Sequence, residues 1–372
     1  MKYSIIVPVY NRPDEVDELL ESLSSQTLKV ESQQEQSDAR INFAEREQAR
    51  TKFKDFEVII VEDGSQKPCK DVCEKYADIL PLHYYNKENS GPGQSRNYGV
   101  ERAHGEYVII LDSDVVLPEG YLDAIDSALD HQPSSIVAWG GPDASHPSFT
   151  PVQKAISYSM TSFFTTGGIR GGKKKLDKFF PRSFNMGIRR DVYLQLGGFT
   201  KMRFGEDIDF SYRIVEAGYT PQLFPEAWVW HKRRTDLRKF FRQVYNSGIA
   251  RINLEKRHPG TLKLVHLLPM VFTLGVIAMI LCSAVGRALM HYEDVHRWYW
   301  LCAAPWLPIL FYSLVICVDS TLQNKSLKVG LLSVPAAFVQ LMGYGFGFLE
   351  SWWRRCVLKQ NEFTAFEKNF YQ

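Results

Sequence analysis

Two carboxylates, Asp112 and Asp114, directly follow an apolar run in the stretch Gly105–Leu122, GEYVIILDSDVVLPEGYL. The run, Tyr107–Leu111, lies between a glycine and an acidic turn, and this pattern predicts a fully buried strand. Side chains at i and i+2 of an extended segment point the same way, so two unpaired carboxylates would repel and raise each other's pKa. A divalent hard cation that bridges to phosphate oxygens removes this penalty. Because the motif is short, a simple strand-ending turn explains it equally well when it is considered alone.

Polar residues also follow two other predicted strands. Tyr3–Val9 precedes Tyr10-Asn11, and Phe56–Val61 precedes Glu62-Asp63. In an open parallel sheet, ligands bind outside the carboxyl ends of the strands, so we expect these groups to meet Asp112-Ser113-Asp114 in one crevice. The sequence has no glycine-rich dinucleotide fingerprint after the first strand and no P-loop, which argues against dehydrogenases and NTPases. The remaining possibility is a ligand nucleotide that is held by carboxylates and through a metal-bound diphosphate.

An acidic pair, Glu206 and Asp207, opens a predicted amphipathic helix that runs to about Ala217. A neighbouring anion raises the pKa of a carboxylate, which suits a general base. The alternative is that both acids only complement the positive end of the helix dipole.

Composition separates the chain into two regions. Up to about Gly260 the 372-residue sequence is mixed and polar, whereas charges become sparse from Leu264 onward. The formal net charge of +2 gives no electrostatic basis for binding nucleic acid. The six cysteines show no metal-binding spacing, and a reducing compartment fits them better than a disulfide framework. The short apolar stretch after Met1-Lys2 predicts a strand and not a signal peptide, so we expect a cytoplasmic N-terminal region.

Predicted strands alternate with helices in the N-terminal region, and each strand is a nearly continuous apolar run. This order predicts an α/β fold with a mostly parallel sheet and helices on both faces. The first helix is expected to end near Leu28, and the polar segment Lys29–Lys52 to be a peripheral insertion. Lys173–Lys175, in a Gly/Lys-rich loop, suits a solvated loop better than a phosphate site.

Three apolar stretches near the C-terminus each have roughly the 20 residues that cross a bilayer as a helix: Leu264–Val285, Trp298–Val318 and Val329–Leu349. Basic residues before the first stretch and after the third both favour the cytoplasmic side, which three crossings cannot satisfy. We therefore expect either one re-entrant or interfacial segment or an outside tail. The third stretch, with its glycines, Pro335 and Gln340, is the candidate for the irregular one.

Four ordered motifs, SIIVPVYNRP, FEVIIVEDGS, NSGPGQSRNYGVERAHGEYVIILDSD and GEDIDFSYRIVEAGY, together resemble the family 2 glycosyltransferases with the GT-A fold, over roughly Lys2–Tyr219. The resemblance implies inverting transfer of a sugar from a nucleotide-diphosphate donor, most simply a UDP-sugar, with Mg²⁺ or Mn²⁺. It also implies a fold class in which the GT-A domain, a Rossmann-like α/β layer structure, is followed by transmembrane helices.

The resemblance assigns roles residue by residue. Asp207 matches the catalytic base, and Asp112 and Asp114 match the metal-binding pair, with His231 as a possible third ligand. The residues implied to contact the nucleotide sugar are Pro8, Tyr10, Asn11, Glu62, Asp63, Arg96, Asp112 and Ser113. Glu206 and Arg234 are candidates for contacts with the acceptor or the diphosphate, although Arg233 and Arg234 suit anionic lipid equally well.

The expected organisation is a GT-A domain over 1–235 with the 29–52 insertion, a juxtamembrane linker over 236–262, two to three transmembrane helices over 263–350 and a tail over 351–372. Processive synthases of the family carry Q-x-x-R-W, whereas Gln243 here lacks the following Arg-Trp. We therefore expect addition of one sugar to a lipid-linked or cell-surface glycan at the plasma (inner) membrane, by a multi-pass protein with a cytoplasmic catalytic domain. The alternatives are a processive polysaccharide synthase and a non-catalytic membrane scaffold.

Overall fold

The computed structural model describes residues 1–37, 55–131, 136–166, 179–202, 204–292, 302–363 and 365. The chain forms two compact units, the first from residues 1–146 and 175–232 and the second from residues 147–174 and 233–372. The first unit ends at residue 232 and residues 147–174 belong to the second unit, whereas the predicted domain division at 235 stays a prediction. The first helix continues to Ser37 and not to Leu28. The rest of the predicted insertion and the Lys173–Lys175 run lie outside the described residues.

The first unit is built on a seven-stranded sheet in the order β3-β2-β1-β4-β8-β6-β9. Its strands are β1 (Tyr3–Val9), β2 (Phe56–Asp63), β3 (Leu82–Lys87), β4 (Tyr107–Leu111), β6 (Ala138–Gly140), β8 (Asn185–Arg189) and β9 (Gln222–Leu223). Neighbouring strands are parallel except on the two sides of β8. The predicted mostly parallel α/β sheet is therefore confirmed, and β2 extends two residues further than predicted, through Glu62 and Asp63.

Helices cover both faces of this sheet. The helices of the first unit are α1 (Pro13–Ser37), α2 (Lys70–Tyr76), α3 (Pro92–Glu101), α4 (Tyr121–His131), α7 (Arg190–Gln195) and α8 (Glu206–Glu216). Alternate strand residues enter separate cores, with Ile5 facing α1, α2 and α4 while Ile6 faces α3, α7 and α8. Both faces are apolar because both are buried, which explains the unbroken apolar runs in the sequence. At Gly99 a Cβ would lie 2.6 Å from Ile6 Cγ2, so α3 packs directly on β1.

A second, three-stranded sheet lies in the same unit, in the order β5 (Val115–Val116), β10 (Val229–His231) and β7 (Asp143–Ala144). The β10 strand is antiparallel to β5 and parallel to β7. Since β5 begins directly after Asp114, this sheet joins the end of β4 to a segment more than a hundred residues later in the chain.

The second unit is helical. It contains α5 (Pro151–Thr161), α6 (Phe163–Thr166), α9 (Leu237–Arg257), α10 (Leu268–Tyr292), α11 (Leu307–Asn324) and α12 (Leu327–Trp352). Among the described residues, three segments are long and apolar enough to cross a membrane: Leu264–Met290, Ala304–Asn324 and Leu327–Val357. The third was expected to be irregular, but α12 is one continuous helix with Pro335 inside it. This third segment differs from the other two in burial: 44% of its apolar 18-residue stretch is buried within the protein, against 11% for each of the others.

Candidate active site

The three-stranded sheet aligns His231 with the acidic motif at the end of β4. His231 pairs in register with Val115, and the Lys232 amide donates a hydrogen bond to the Asp114 carbonyl oxygen over 3.1 Å. This backbone pairing brings the imidazole against the carboxylate, with 3.3 Å between His231 Nε2 and Asp114 Oδ1. The backbone pairing of β10 with β5, and not the side chains alone, therefore fixes the separation of His231 and Asp114.

Asp112, Asp114 and His231 form a cluster with the geometry of a metal site. Each offers one ligand atom, and these atoms lie within 4.8 Å of one another. Two carboxylates and an imidazole suit Mn²⁺, and the carboxylates suit Mg²⁺, so the residues present fit the implied cation. In the structure two arginines neutralise the carboxylates: Arg12 Nη1 lies 2.5 Å from Asp114 Oδ2, and Arg96 Nη2 lies 2.7 Å from Asp112 Oδ1.

His231 is held from two further directions. Its Nδ1 lies 3.8 Å from Asp143 Oδ2, and its ring stacks on Phe184 with 4.9 Å between the ring centroids. Burial alone would lower the pKa of His231, but Asp114 above all, with Asp143 and Asp112, raises that pKa to about 9. In the absence of a cation the imidazole is therefore protonated and pairs with the carboxylates, and metal binding requires loss of that proton.

Arg96 connects the metal cluster to the acidic pair. It lies on α3 with only 4% of its side chain exposed, and Nη1 lies 3.1 Å from Glu206 Oε1 while Nη2 contacts Asp112. The guanidinium also lies over the Phe199 ring, 5.2 Å from its centroid. Arg96 was predicted to face the nucleotide, and the structure gives it two carboxylate partners, Asp112 and Glu206.

The acidic pair occupies the first turn of α8. The helix begins after Gly205, whose φ of 84° is a left-handed conformation that suits glycine. Burial first, and then the charge of Asp207, raises the pKa of Glu206 to about 7, although Arg96 opposes this shift. Glu206 therefore has the raised pKa that the sequence argument assigned to the pair.

Asp207 behaves in the opposite way. Arg182 Nε lies 2.6 Å from Asp207 Oδ2, and the Ile208 amide donates to Oδ1 over 2.9 Å. Burial alone would raise the pKa of Asp207, but the charge and hydrogen bond of Arg182 outweigh burial and hold this pKa below its ordinary value. The expectation that the neighbouring anion raises the pKa of Asp207 is wrong, because the ion pair with Arg182 has the larger effect.

Asp63 organises the loop that leads into α3. Its Oδ1 accepts a hydrogen bond from the Ser90 amide over 2.9 Å, and its Oδ2 accepts one from the Gly91 amide over 2.9 Å. Lys87 forms an ion pair with the same carboxylate, which is 5% exposed. Asp63, which was predicted to hold the nucleotide base, thus lies at the carboxyl end of β2, and both of its carboxylate oxygens accept hydrogen bonds from the loop between β3 and α3.

Two other predicted nucleotide contacts have structural partners. Glu62 is fully buried and accepts hydrogen bonds from Ser65 and from the Cys69 amide. The Asn11 side-chain oxygen accepts from the amides of residues 66 and 67 over 2.7 and 2.9 Å. Glu62 has 0% exposure and its hydrogen bonds hold the loop that follows β2, so its contact with the nucleotide sugar stays a prediction.

The remaining predicted residues occupy different parts of the chain. Pro8 is buried in β1, opposite Val61 of β2, and Tyr10 follows the end of the same strand half-buried. Ser113, which lies between Asp112 and Asp114 in the sequence, is buried. Arg234 belongs to the second unit and is not among the residues that the contacts described above bring together.

Four further residues that contact the site were not predicted from the sequence: Arg12, Asp143, Arg182 and Phe184. Arg12 lies within the first quoted motif, so its position at the end of β1 was a usable signal. The other three lie in segments with no chemical pattern, and only their tertiary contacts reveal them.

Comparison with known proteins gives two family matches. The model described as Glycosyl transferase family 2 matches residues 4–197, and the one described as Glycosyl transferase family group 2 matches residues 107–318. Among solved structures, the chain is similar to a mannosyltransferase from Pyrobaculum calidifontis in complex with GDP-Man and Mn²⁺. That likeness has a TM-score of 0.52 at 16% identity and covers 87% of each chain, and it supports the fold.

Curated relatives are similar over part of their length. The chain is 26% identical over 260 residues to a pre-mycofactocin glycosyltransferase of Mycobacterium tuberculosis, which is 64% of this chain and 50% of that protein. It is 31% identical over 139 residues to the poly(ribitol-phosphate) β-N-acetylglucosaminyltransferase TarS of Staphylococcus aureus, 37% of this chain and 20% of that protein. The chain thus spans half or less of these relatives. Together with the α/β sheet and the acidic site, the family matches show that this chain belongs to glycosyl transferase family 2.

Proposed function

We propose that this chain is an inverting, metal-dependent glycosyltransferase that moves one sugar from a nucleotide-diphosphate donor to a hydroxyl group. The observation that carries this proposal is Arg96, which contacts Asp112 of the metal cluster and Glu206 of the acidic pair. A diphosphate at the Asp112–Asp114–His231 cluster would therefore lie close to the acidic pair that includes the proposed base, because the side chain of Arg96 contacts both groups. Direct displacement with inversion needs this arrangement, because the acceptor hydroxyl must lose its proton as it attacks the sugar.

Asp112, Asp114 and His231 would hold the cation. A bound Mg²⁺ or Mn²⁺ supplies positive charge that stabilises the diphosphate leaving group. Asp207 is the proposed general base, which accepts the proton of the acceptor hydroxyl. Arg182 keeps Asp207 ionised and fixes its orientation through the hydrogen bond to Oδ2. A positioned base typically contributes about 10²–10⁴-fold to the rate.

We also propose a class of donor and a class of acceptor. A UDP-sugar is the expected donor, and GDP-mannose belongs beside it in a test because the solved mannosyltransferase holds GDP-Man. The proposed acceptor is a lipid-linked or cell-surface glycan. The three candidate membrane segments support an acceptor at a membrane, and the poly(ribitol-phosphate) in the name of one relative supports a cell-surface polymer. We place the protein in the plasma membrane with the first unit in the cytoplasm.

The test uses the full chain in membranes, incubated with a panel of nucleotide sugars and Mn²⁺ or Mg²⁺. We expect Asp207→Asn to abolish transfer while donor binding stays near normal, because the substitution removes the base and retains the shape. Glu206→Gln is the matched control one residue away. Ordinary turnover in Asp207→Asn would remove Asp207 from the base role, and loss of transfer only in Glu206→Gln would give that role to Glu206.

The same assay addresses the cation and the alternatives. We expect EDTA to stop transfer and Mn²⁺ or Mg²⁺ to restore it, and unchanged activity in chelator would refute the metal assignment. A product ladder on a gel would indicate a processive synthase instead of addition of one sugar. Absence of both transfer and hydrolysis with every donor would favour the non-catalytic scaffold.

A further inference from the structure

Helices α9 and α12 of the second unit lie side by side and run in the same direction. Ser351 Oγ donates to the carbonyl oxygen of Ile249 over 3.2 Å, and Arg355 Nε, just past α12, donates to Asn253 Oδ1 over 3.1 Å. Four residues further along α9, Arg257 Nη2 lies 2.9 Å from a Glu362 carboxylate oxygen. Residue numbers rise together along both segments, so the pairing is parallel.

This pairing constrains membrane topology. Residues 253–257 precede the three candidate membrane segments, and residues 355–362 follow the greater part of the last one. Groups that share hydrogen bonds lie on the same side of a bilayer. The chain between them must therefore cross an even number of times, and three crossings are excluded.

The charged helix α9, which packs against α12, indicates that α12 is the helix that does not cross the bilayer. In α9, seven of 21 residues are charged: Arg238, Lys239, Arg242, Arg251, Glu255, Lys256 and Arg257. The uncharged stretch between Arg242 and Arg251 has eight residues. A helix of that length is about 12 Å long, against roughly 30 Å for the hydrocarbon core. Because α9 accompanies the C-terminal half of α12, placing α12 across the core would bury several of these charges in lipid.

The surface of α12 agrees with this conclusion. Between residues 336 and 351 every side chain is buried or half-buried. In contrast, α11 exposes an apolar stripe at helical spacing, formed by Leu307, Leu310, Phe311, Leu314, Val318 and Leu322. Among the described residues, α10 and α11 have most of the exposed apolar surface that lipid covers, whereas the exposed large apolar side chains of α12 are confined to its two ends, at Leu327, Leu331 and Trp352.

Helices α10 and α11 form an antiparallel hairpin. Trp306 Nε1, at the start of α11, donates to Ser283 Oγ over 2.8 Å, and the Phe272 and Tyr312 rings lie 5.8 Å apart. Between these two contacts the residue number decreases along α10 while it increases along α11, so the two helices are antiparallel. A chain that leaves along α10 therefore returns along α11.

We propose that α10 and α11 cross the bilayer as a two-helix hairpin and that α12 does not cross it. The basic residues before α10 and after α12 then lie on one face of the membrane, as the preference of basic residues for the cytoplasmic side requires. They are Arg251, Lys256, Arg257 and Lys263 on one side of the hairpin and Arg354, Arg355 and Lys359 on the other. The inference rests on the membrane anchoring proposed above and not on the chemistry of the active site.

Cysteine labelling of the full chain tests this topology. In a background with Cys282, Cys302 and Cys317 replaced by alanine, the exposed native Cys356 reports the end of α12, while Cys69 and Cys73 are buried. In that background with Cys356→Ala, the exposed positions Lys256→Cys, Ala303→Cys and Lys328→Cys report the other connections one at a time. The background with Cys356→Ala and no added cysteine gives the residual signal. Each variant is treated with a membrane-impermeant maleimide in right-side-out and in inverted vesicles.

We expect positions 256, 328 and 356 to react from one face and position 303 from the opposite face, with at least a tenfold preference in each case. Reaction of positions 328 and 356 from opposite faces would mean that α12 crosses and would overturn the proposal. Reaction of position 303 from the same face as 256 would also overturn it, because α10 would then not cross. Carbonate extraction separates these results from a failure of membrane anchoring, and transfer activity is measured independently of both.

Discussion

Replacing Arg182 by glutamine removes the cation that holds Asp207. The substitution keeps a side chain that donates a hydrogen bond but deletes the charge 2.6 Å from Asp207 Oδ2. Two other charged groups act on Asp207: Arg96, which also lowers its pKa, and the neighbouring carboxylate of Glu206. Both remain in the variant, so the change isolates the contribution of Arg182.

The size of the effect follows from the geometry. Two unit charges about 4 Å apart attract by about 4 kcal/mol at an effective dielectric constant of about 20. Because 35% of the Arg182 side chain is exposed, solvent screening reduces this value. Because the charge and hydrogen bond of Arg182 lower the pKa of Asp207, we expect removal of Arg182 to raise that pKa.

The assay is the pH dependence of kcat. A base must be ionised to accept a proton, so activity falls as the pH drops through the pKa of Asp207. A raised pKa moves this acidic limb to higher pH in Arg182→Gln. Arg182→Lys is the control that retains the charge, and we expect its acidic limb to stay closer to that of the unmodified protein.

An active Arg182→Gln variant with an unmoved acidic limb would refute this reasoning. It would show either that Asp207 is not the titrating base or that Arg182 does not control its ionisation. A change in KM with an unchanged pH profile would give Arg182 a role in binding instead. Circular dichroism of the variants separates all these outcomes from loss of folding.

Three further substitutions test other contacts. Arg96→Met leaves two carboxylates without their buried cation, and we expect it to lower the free energy of unfolding by about 3–5 kcal/mol in urea titrations. Trp139→Ala empties a fully buried site where the indole stacks on an aromatic ring, and the expected loss is about 3–5 kcal/mol by the same measurement. Asp143→Asn removes the charge beside His231 Nδ1, and we expect Mn²⁺ affinity measured by calorimetry to fall about 10–100-fold; unchanged affinity would show that Asp143 does not support the ligand.

Much of the first unit was predictable from local pattern. Its central strands are buried on both faces, and such strands must be continuous apolar runs whatever their neighbours are. The position of the acidic motif at the end of β4 follows from the same rule, since the chain leaves the core there. Family resemblance then connected Asp112, Asp114 and Asp207, because the motifs retain their order along the chain.

The tertiary structure decided how those residues are paired. His231 lies beside Asp114 because β10 pairs with β5, and no local pattern encodes pairing between strands so far apart. Arg182 reverses the expected pKa shift of Asp207, because an ion pair across the site outweighs burial. The sequence likewise marked three membrane segments and singled out the third as the irregular one, but hydropathy measures composition and not neighbours. Contact with the charged helix α9 distinguishes α12 from the other two.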